Sequence, residues 1–168
     1  MSSVPMKALL LAAIILMLTA CTAESTLETL QEEFPEHKTQ FNELKDLMLS
    51  LSDSAKDFLL LSSRVTGGKD DLIDFFENEG RIPVSKALET TFQSRREQLL
   101  RVQAIVHAAS IDYVSVDKER IAVWVTLKGG GVLASDRGYL YTGKGEIASF
   151  HLKRVLPIPK ETNWYAFD

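Results

Sequence analysis

The chain has 168 residues, 45% of them hydrophobic and 25% charged, with a formal charge of −4 and one cysteine. That length fits one domain or little more, and the apolar and charged fractions exclude a disordered tail or a collagen-like repeat. A lone cysteine excludes an internal disulfide and a cysteine-based zinc cage, and the acidic balance argues against a general nucleic-acid binder.

After Lys7 comes an uninterrupted apolar run of 11 residues, 8–18, ending in Thr19-Ala20-Cys21. A helix needs roughly 20 residues to cross a bilayer core of about 30 Å, so the run is too short to span. It fits the hydrophobic region of a secretory signal, about 7–15 residues long and closed by small side chains. Leu18-Thr19-Ala20-Cys21 resembles the lipobox of bacterial lipoproteins. The resemblance implies a diacylglycerol on the Cys21 sulfur, cleavage before Cys21 and acylation of the new amine. Residues 1–20 are then a signal peptide, 21–24 a lipidated tether, and 25–168 a single α+β domain. Thr22 stands where Asp often marks retention in the inner membrane, which favours the outer membrane.

Leu27, Leu30, Phe34, His37, Phe41, Leu44, Met48, Leu51, Ala55 and Phe58 recur at spacings of three and four, an amphipathic helical pattern. Ser25 and Glu28 form a capping-box start. Pro35 removes a backbone donor and costs about 3 kcal/mol inside a helix, so the pattern predicts a short helix at 26–33 and a second at 36–62. Leu47, Leu49 and 59–61 widen the apolar face beyond a coiled-coil seam. Residues 66–69 read as a loop. Asp70 to Glu79 reads as a short helix with Gly80 at its C-terminal cap and its acids on a solvated face. After Pro83 a helix is expected over 84–108, with Arg95, Arg96 and Arg101 largely on its polar side.

From Ser110 the period changes to two. Residues 111–116 are β-rich, 117–120 form a polar turn, and in 121–127 Ile121, Val123, Val125 and Leu127 share one face with Trp124 on the other. Gly129 to Gly131 turns the chain. Residues 132–135 and 138–142 are two short strands or one bent strand, and 143–145 is a flexible link. Residues 150–156 read as a strand or partial helix, and 163–167 as a final strand. Short turns favour antiparallel pairing. The expected architecture is α+β, with N-terminal helices over 25–108 packed on a C-terminal antiparallel β-meander over 110–168. Residues 21–80 hold 14 acidic and 5 basic residues, and residues 81–168 hold 9 acidic and 13 basic, so the two halves can attract one another.

No catalytic or metal constellation stands out. His37, His107 and His151 lack metal-ligand spacing, and no HExxH or Cys/His cluster occurs. His37 reads as a packed residue on the apolar stripe and His107 as a dipole partner at a helix end. Ser135, Asp136 and His151 contain the elements of an acyl-transfer trio, but Ser135 is not in a GxSxG elbow. Asp70, Asp71, Asp74, Glu77 and Glu79 follow helical spacing rather than the alternating ligands of an EF-hand loop. No cofactor and no metal is expected.

The last thirty residues concentrate Tyr139, Tyr141, Trp164, Tyr165 and Phe167 near Arg137, Lys144, Lys153, Arg154 and Lys160. Tyr, Trp and Arg anchor protein interfaces, while the plainer reading is cross-strand packing. Arg137, Tyr139, Tyr141, Lys153, Arg154, Trp164 and Tyr165 are the candidate binding residues. Ser135-Asp-Arg-Gly138-Tyr139-Leu-Tyr141 followed by Asn163-Trp164-Tyr165-Ala-Phe167, with Phe41-Asn-Glu-Leu44, resembles small uncharacterised bacterial proteins that share this C-terminal pattern. That resemblance assigns no activity and no functional residue. The sequence therefore predicts a lipid-anchored cell-envelope protein, a non-enzymatic binding module for an envelope protein or polymer, with an inhibitor or immunity role as its narrower form. The alternatives are an envelope hydrolase assembled only in the tertiary fold and a lipid or small-molecule carrier.

Overall fold

The computed structural model describes residues 27–53, 58–62, 72–75, 80–127, 137–145, 147, 150 and 152–168. The leader, Cys21 and the tether lie outside these residues. So do the loop at 66–69, the glycine turn at 129–131, the strand expected at 132–135 and the Ser135, Asp136, His151 trio. No helix among the described residues is long and apolar enough to cross a membrane.

The chain begins with helix α1 (Leu27–Ser52), then strands β1 (Phe58–Ser62), β2 (Leu72–Phe75) and β3 (Gly80–Pro83). Helix α2 (Val84–Glu89), a 3-10 turn (Gln93–Arg95) and helix α3 (Arg96–Ala108) follow. Strands β4 (Ile111–Asp117), β5 (Ala122–Leu127), β6 (Gly138–Thr142), β7 (Val155–Pro157) and β8 (Trp164–Phe167) complete the fold. The described strands join one sheet in the order β3-β2-β1-β4-β5-β6-β8-β7, and every neighbouring pair is antiparallel. The fold class is α+β. The expected split between a helical and a β-rich half needs correction, because β1, β2 and β3 come from the part read as helical.

Helix α1 runs unbroken through Pro35, where a break was expected. Leu27, Leu30, Phe34, Phe41, Leu44, Met48 and Leu51 are all buried along one stripe. At about 1.5–3 kcal/mol per buried apolar side chain, that face contributes on the order of 10–20 kcal/mol as an upper bound, against about 3 kcal/mol for the proline. Pro35 itself is on the exposed side of the helix, where the lost bond can be hydrated.

The helix stops at Ser52, and residues 58–62 form a strand rather than helix. A short apolar run does not distinguish the two states, and here pairing on both sides decides. Leu59 and Leu61 pair with Phe75 and Ile73 of β2 on one side and with Val116 and Val114 of β4 on the other. The short helix expected from Asp70 is likewise corrected, since residues 72–75 are a strand. Gly80 does adopt a positive φ of 70°, but it opens β3 instead of capping a helix. The helix expected over 84–108 is interrupted at Thr90. There the Thr90 hydroxyl donates to the Lys86 carbonyl at 2.9 Å, and the chain turns to bury Phe92 completely.

The alternation read in residues 111–127 holds for most of its length. Val114, Val116, Val123 and Val125 face the helices together with Tyr139, Tyr141, Trp164 and Ala166. Trp124 faces the other way, with Ala122, Leu140, Phe167 and Phe150, in a smaller cluster on the outer face. Ile121 departs from the pattern. It lies in the turn before β5 at a φ of 51° and is 41% exposed. Gly138 allows a close approach, because a Cβ there would sit 1.9 Å from the Val125 carbonyl oxygen. The segment read as a strand or partial helix over 150–156 gives only the edge strand β7, where Pro157 needs no ladder donor.

Exposed ion pairs, those of Arg101 with Glu43 and Lys118 with Asp53 among them, join the acidic and basic parts of the chain. Arg101 holds Glu43 in a bidentate pair at 2.6 and 2.8 Å, and Lys118 meets Asp53 at 3.2 Å. The Arg101 guanidinium holds the Glu43 carboxyl below its ordinary range. Pairs this exposed contribute little to stability, because water and salt screen them.

Candidate binding cleft

The C-terminal aromatic residues divide between the two faces of the sheet. Tyr139 and Trp164 are only 1% and 2% exposed, so their rings belong to the core rather than to an exposed aromatic patch. Their rings pack against Phe34 of α1 at 5.3 Å each, and Tyr139 lies 4.9 Å from Phe41. Burial makes each polar tip find a partner. The Trp164 indole N–H donates to Asn42 Oδ1 at 3.1 Å, and the Tyr139 hydroxyl donates to the Leu30 carbonyl at 2.9 Å. Tyr141 is half-buried beneath α1, with Lys45 Nζ 4.9 Å from its ring centre. Tyr165 sits in register with Leu140 and Pro157, on the sheet face opposite Tyr139 and Trp164. Lys153 is exposed, and Arg154 pairs with the Asp168 carboxylate through its Nε at 3.0 Å. These seven candidates therefore do not form one surface.

Arg137 and Tyr139 do meet, in a cleft of about 270 Å³ between α1 and the sheet. Leu30, Phe41, Leu127 and Tyr139 form its apolar lining, and Glu33, His37, Ser110 and Arg137 supply its polar groups. Four of these residues come from α1, where spacings of three and four place Leu30, Glu33, His37 and Phe41 on one stripe. Ser110 comes from the α3–β4 turn, held at a φ of 52°. Leu127 and Arg137 face one another across the β5–β6 pair, where the Leu127 N–H donates to the Arg137 carbonyl at 3.0 Å.

The charges in the cleft are unevenly satisfied. The Arg137 Nε is buried and has no hydrogen-bond partner among the described residues. Glu33 is exposed at the mouth. His37 Nδ1 lies 3.4 Å from Gln40 Oε1, and its ring sits 5.4 Å from that of Phe41. Burial, with a smaller contribution from the Glu33 charge, pushes the Tyr139 hydroxyl well above its ordinary value. Ser110, His37 and Glu33 share the cleft, but among the described residues no hydrogen bond joins Ser110 to His37 or His37 to Glu33. The linked nucleophile and base of acyl transfer are thus not assembled here.

Glu33 and Ser110 are not among the residues singled out from the sequence. The i, i+4 step from Glu33 to His37 was a usable signal for the first, whereas Ser110 joins through tertiary packing alone. A second, more open hollow of about 590 Å³ at the start of α3 contains Arg95, which is already bonded to Ser50 at its carbonyl and, at 3.1 Å, its hydroxyl. Among the described residues no three His, Cys, Asp or Glu side chains converge as a metal site. No family model matches the chain, and no curated protein or solved structure is significantly similar to it.

Proposed function

We propose that this chain is a lipid-anchored bacterial cell-envelope protein whose folded domain is a binding module rather than an enzyme. The observation that carries the reading is Leu18-Thr19-Ala20-Cys21 closing an apolar run of 11 residues. Acyl chains on Cys21 would contribute about 0.8 kcal/mol per buried CH₂, and two or more chains hold a protein stably where one does not. Cys21 precedes the first residue of α1 by six positions, so the domain would hang close beneath the membrane surface. Thr22 after the cysteine favours the outer membrane.

The binding role rests on the cleft beside α1, which joins an apolar lining to a few polar groups in the manner of small-ligand sites. A lipid carrier would need a larger apolar cavity. Among the described residues the space between α1 and the sheet is filled by Phe34, Phe41, Tyr139 and Trp164. Partners in the envelope, a protein or a polymer, would meet the same end of the molecule. No nucleic-acid role is proposed.

Replacement of the anchoring sulfur tests the reading. In cell fractionation the parent protein should sediment with membranes and carry acyl mass on Cys21. Cys21→Ser should be released or remain as an unprocessed precursor. Normal processing and membrane retention of Cys21→Ser would overturn the lipoprotein reading.

A further inference from the structure

We propose that the cleft beside α1 binds a small zwitterion, an amino acid or dipeptide, with its carboxylate on Arg137 and its ammonium on Glu33. The assignment rests on the reading of the domain as a binding module and gives that module a ligand class.

The first observation is Arg137. Among the described residues its buried Nε has no hydrogen-bond partner and its guanidinium enters no ion pair. A buried donor left unsatisfied costs about 1–3 kcal/mol, and such exceptions call for an explanation. A guanidinium presents a planar fork of donors that matches a carboxylate, and pairing of this kind is both strong and directional. An anion entering the cleft would satisfy the orphaned donor.

The second observation is Glu33, which lines the same cleft from α1 and makes no ion pair with Arg137. Two opposite charges that share a cleft without closing on one another leave a gap. A molecule carrying both charges bridges it, whereas a simple anion satisfies Arg137 and faces the Glu33 carboxylate unfavourably. Third, the same cleft is lined by Leu30, Phe41, Leu127 and Tyr139 beside its polar groups, so a short aliphatic side chain can lie against apolar atoms there. The volume of about 270 Å³ lies just below the roughly 300–1,000 Å³ of drug-sized sites, which suits a ligand the size of an amino acid.

Calorimetric titration of the full chain in detergent micelles tests the assignment with four probes. Leucine and glycyl-leucine carry both charges at different spacings, 4-methylpentanoate lacks the ammonium, and 3-methylbutylamine lacks the carboxylate. At least one zwitterion should bind tenfold or more tightly than either half-molecule. Arg137→Gln should weaken that zwitterion at least tenfold, with Arg137→Lys intermediate. Glu33→Gln, at an exposed position, should abolish the advantage of the zwitterion over 4-methylpentanoate while leaving the fold intact by circular dichroism. Equal binding of 4-methylpentanoate and the zwitterions would overturn the assignment and leave a plain anion site, with the binding-module reading standing. Absence of heat with all four probes would overturn it too. Neither result touches the anchor, which the Cys21→Ser fractionation judges separately.

Discussion

Tyr139 shows how one side chain serves both packing and the cleft. Its ring fills the aromatic core against Phe34 and Phe41, and its hydroxyl ties β6 to α1 through the Leu30 carbonyl, in the turn before Pro35. Removing that bond in Tyr139→Phe should cost about 1 kcal/mol at pH 7, measured by urea denaturation. The pH dependence follows from the raised hydroxyl. The folded state holds the phenolic proton more tightly than the unfolded chain, so this contribution is complete below the unfolded value of about 10 and drains away as pH rises beyond it. The parent protein should therefore lose more stability between pH 7 and pH 10.5 than Tyr139→Phe does. Equal losses would show that Tyr139 is not the group concerned. The aromatic residues of the C-terminus were legible as a group from sequence; cross-strand packing describes Trp164 against Tyr141, whereas the Tyr139 ring packs on helix α1. Which ring faces the helices and which faces outward was set by strand register.

At the scale of the element, α1 sets a local penalty against a tertiary gain. The proline argues for two helices and the apolar stripe for one, and the stripe prevails because seven large side chains are buried along it. Pro35→Ala should then restore the missing backbone bond without disturbing the core, since the residue is exposed. The expected gain is about 1–3 kcal/mol, seen as a higher urea midpoint with an unchanged slope. A loss of stability would mean that a bend at Pro35 is required for α1 to follow the sheet. The strands β4 and β5 were legible because their alternation matches the pleat. The strand β1 was not, since Phe58-Leu59-Leu60-Leu61 continues the helical spacing and only its two sheet neighbours choose the extended state.

Across the whole molecule, helix α1 covers the centre of the sheet and closes the core with α3. The chain goes from β3 at one edge through α2 and α3 to β4 at the centre, so β1, β2 and β3 extend the sheet formed by the C-terminal strands. Deletion of residues 22–53 should expose Val114, Val125, Tyr139 and Trp164 together. The remainder should lose its cooperative unfolding transition and bind a hydrophobic dye, whereas an independently folding remainder would keep a sharp transition. The sequence by itself determined the helical stripe of α1, the alternation of β4 and β5 and the composition of the leader, because each is a periodicity or run within a few neighbouring residues. Only the tertiary structure decided that residues 58–62 are a central strand, that Tyr139 and Trp164 are interior, and that Glu33, Ser110 and Arg137 line one cleft. Those outcomes depend on contacts between residues far apart in the chain, whose energies no local pattern records.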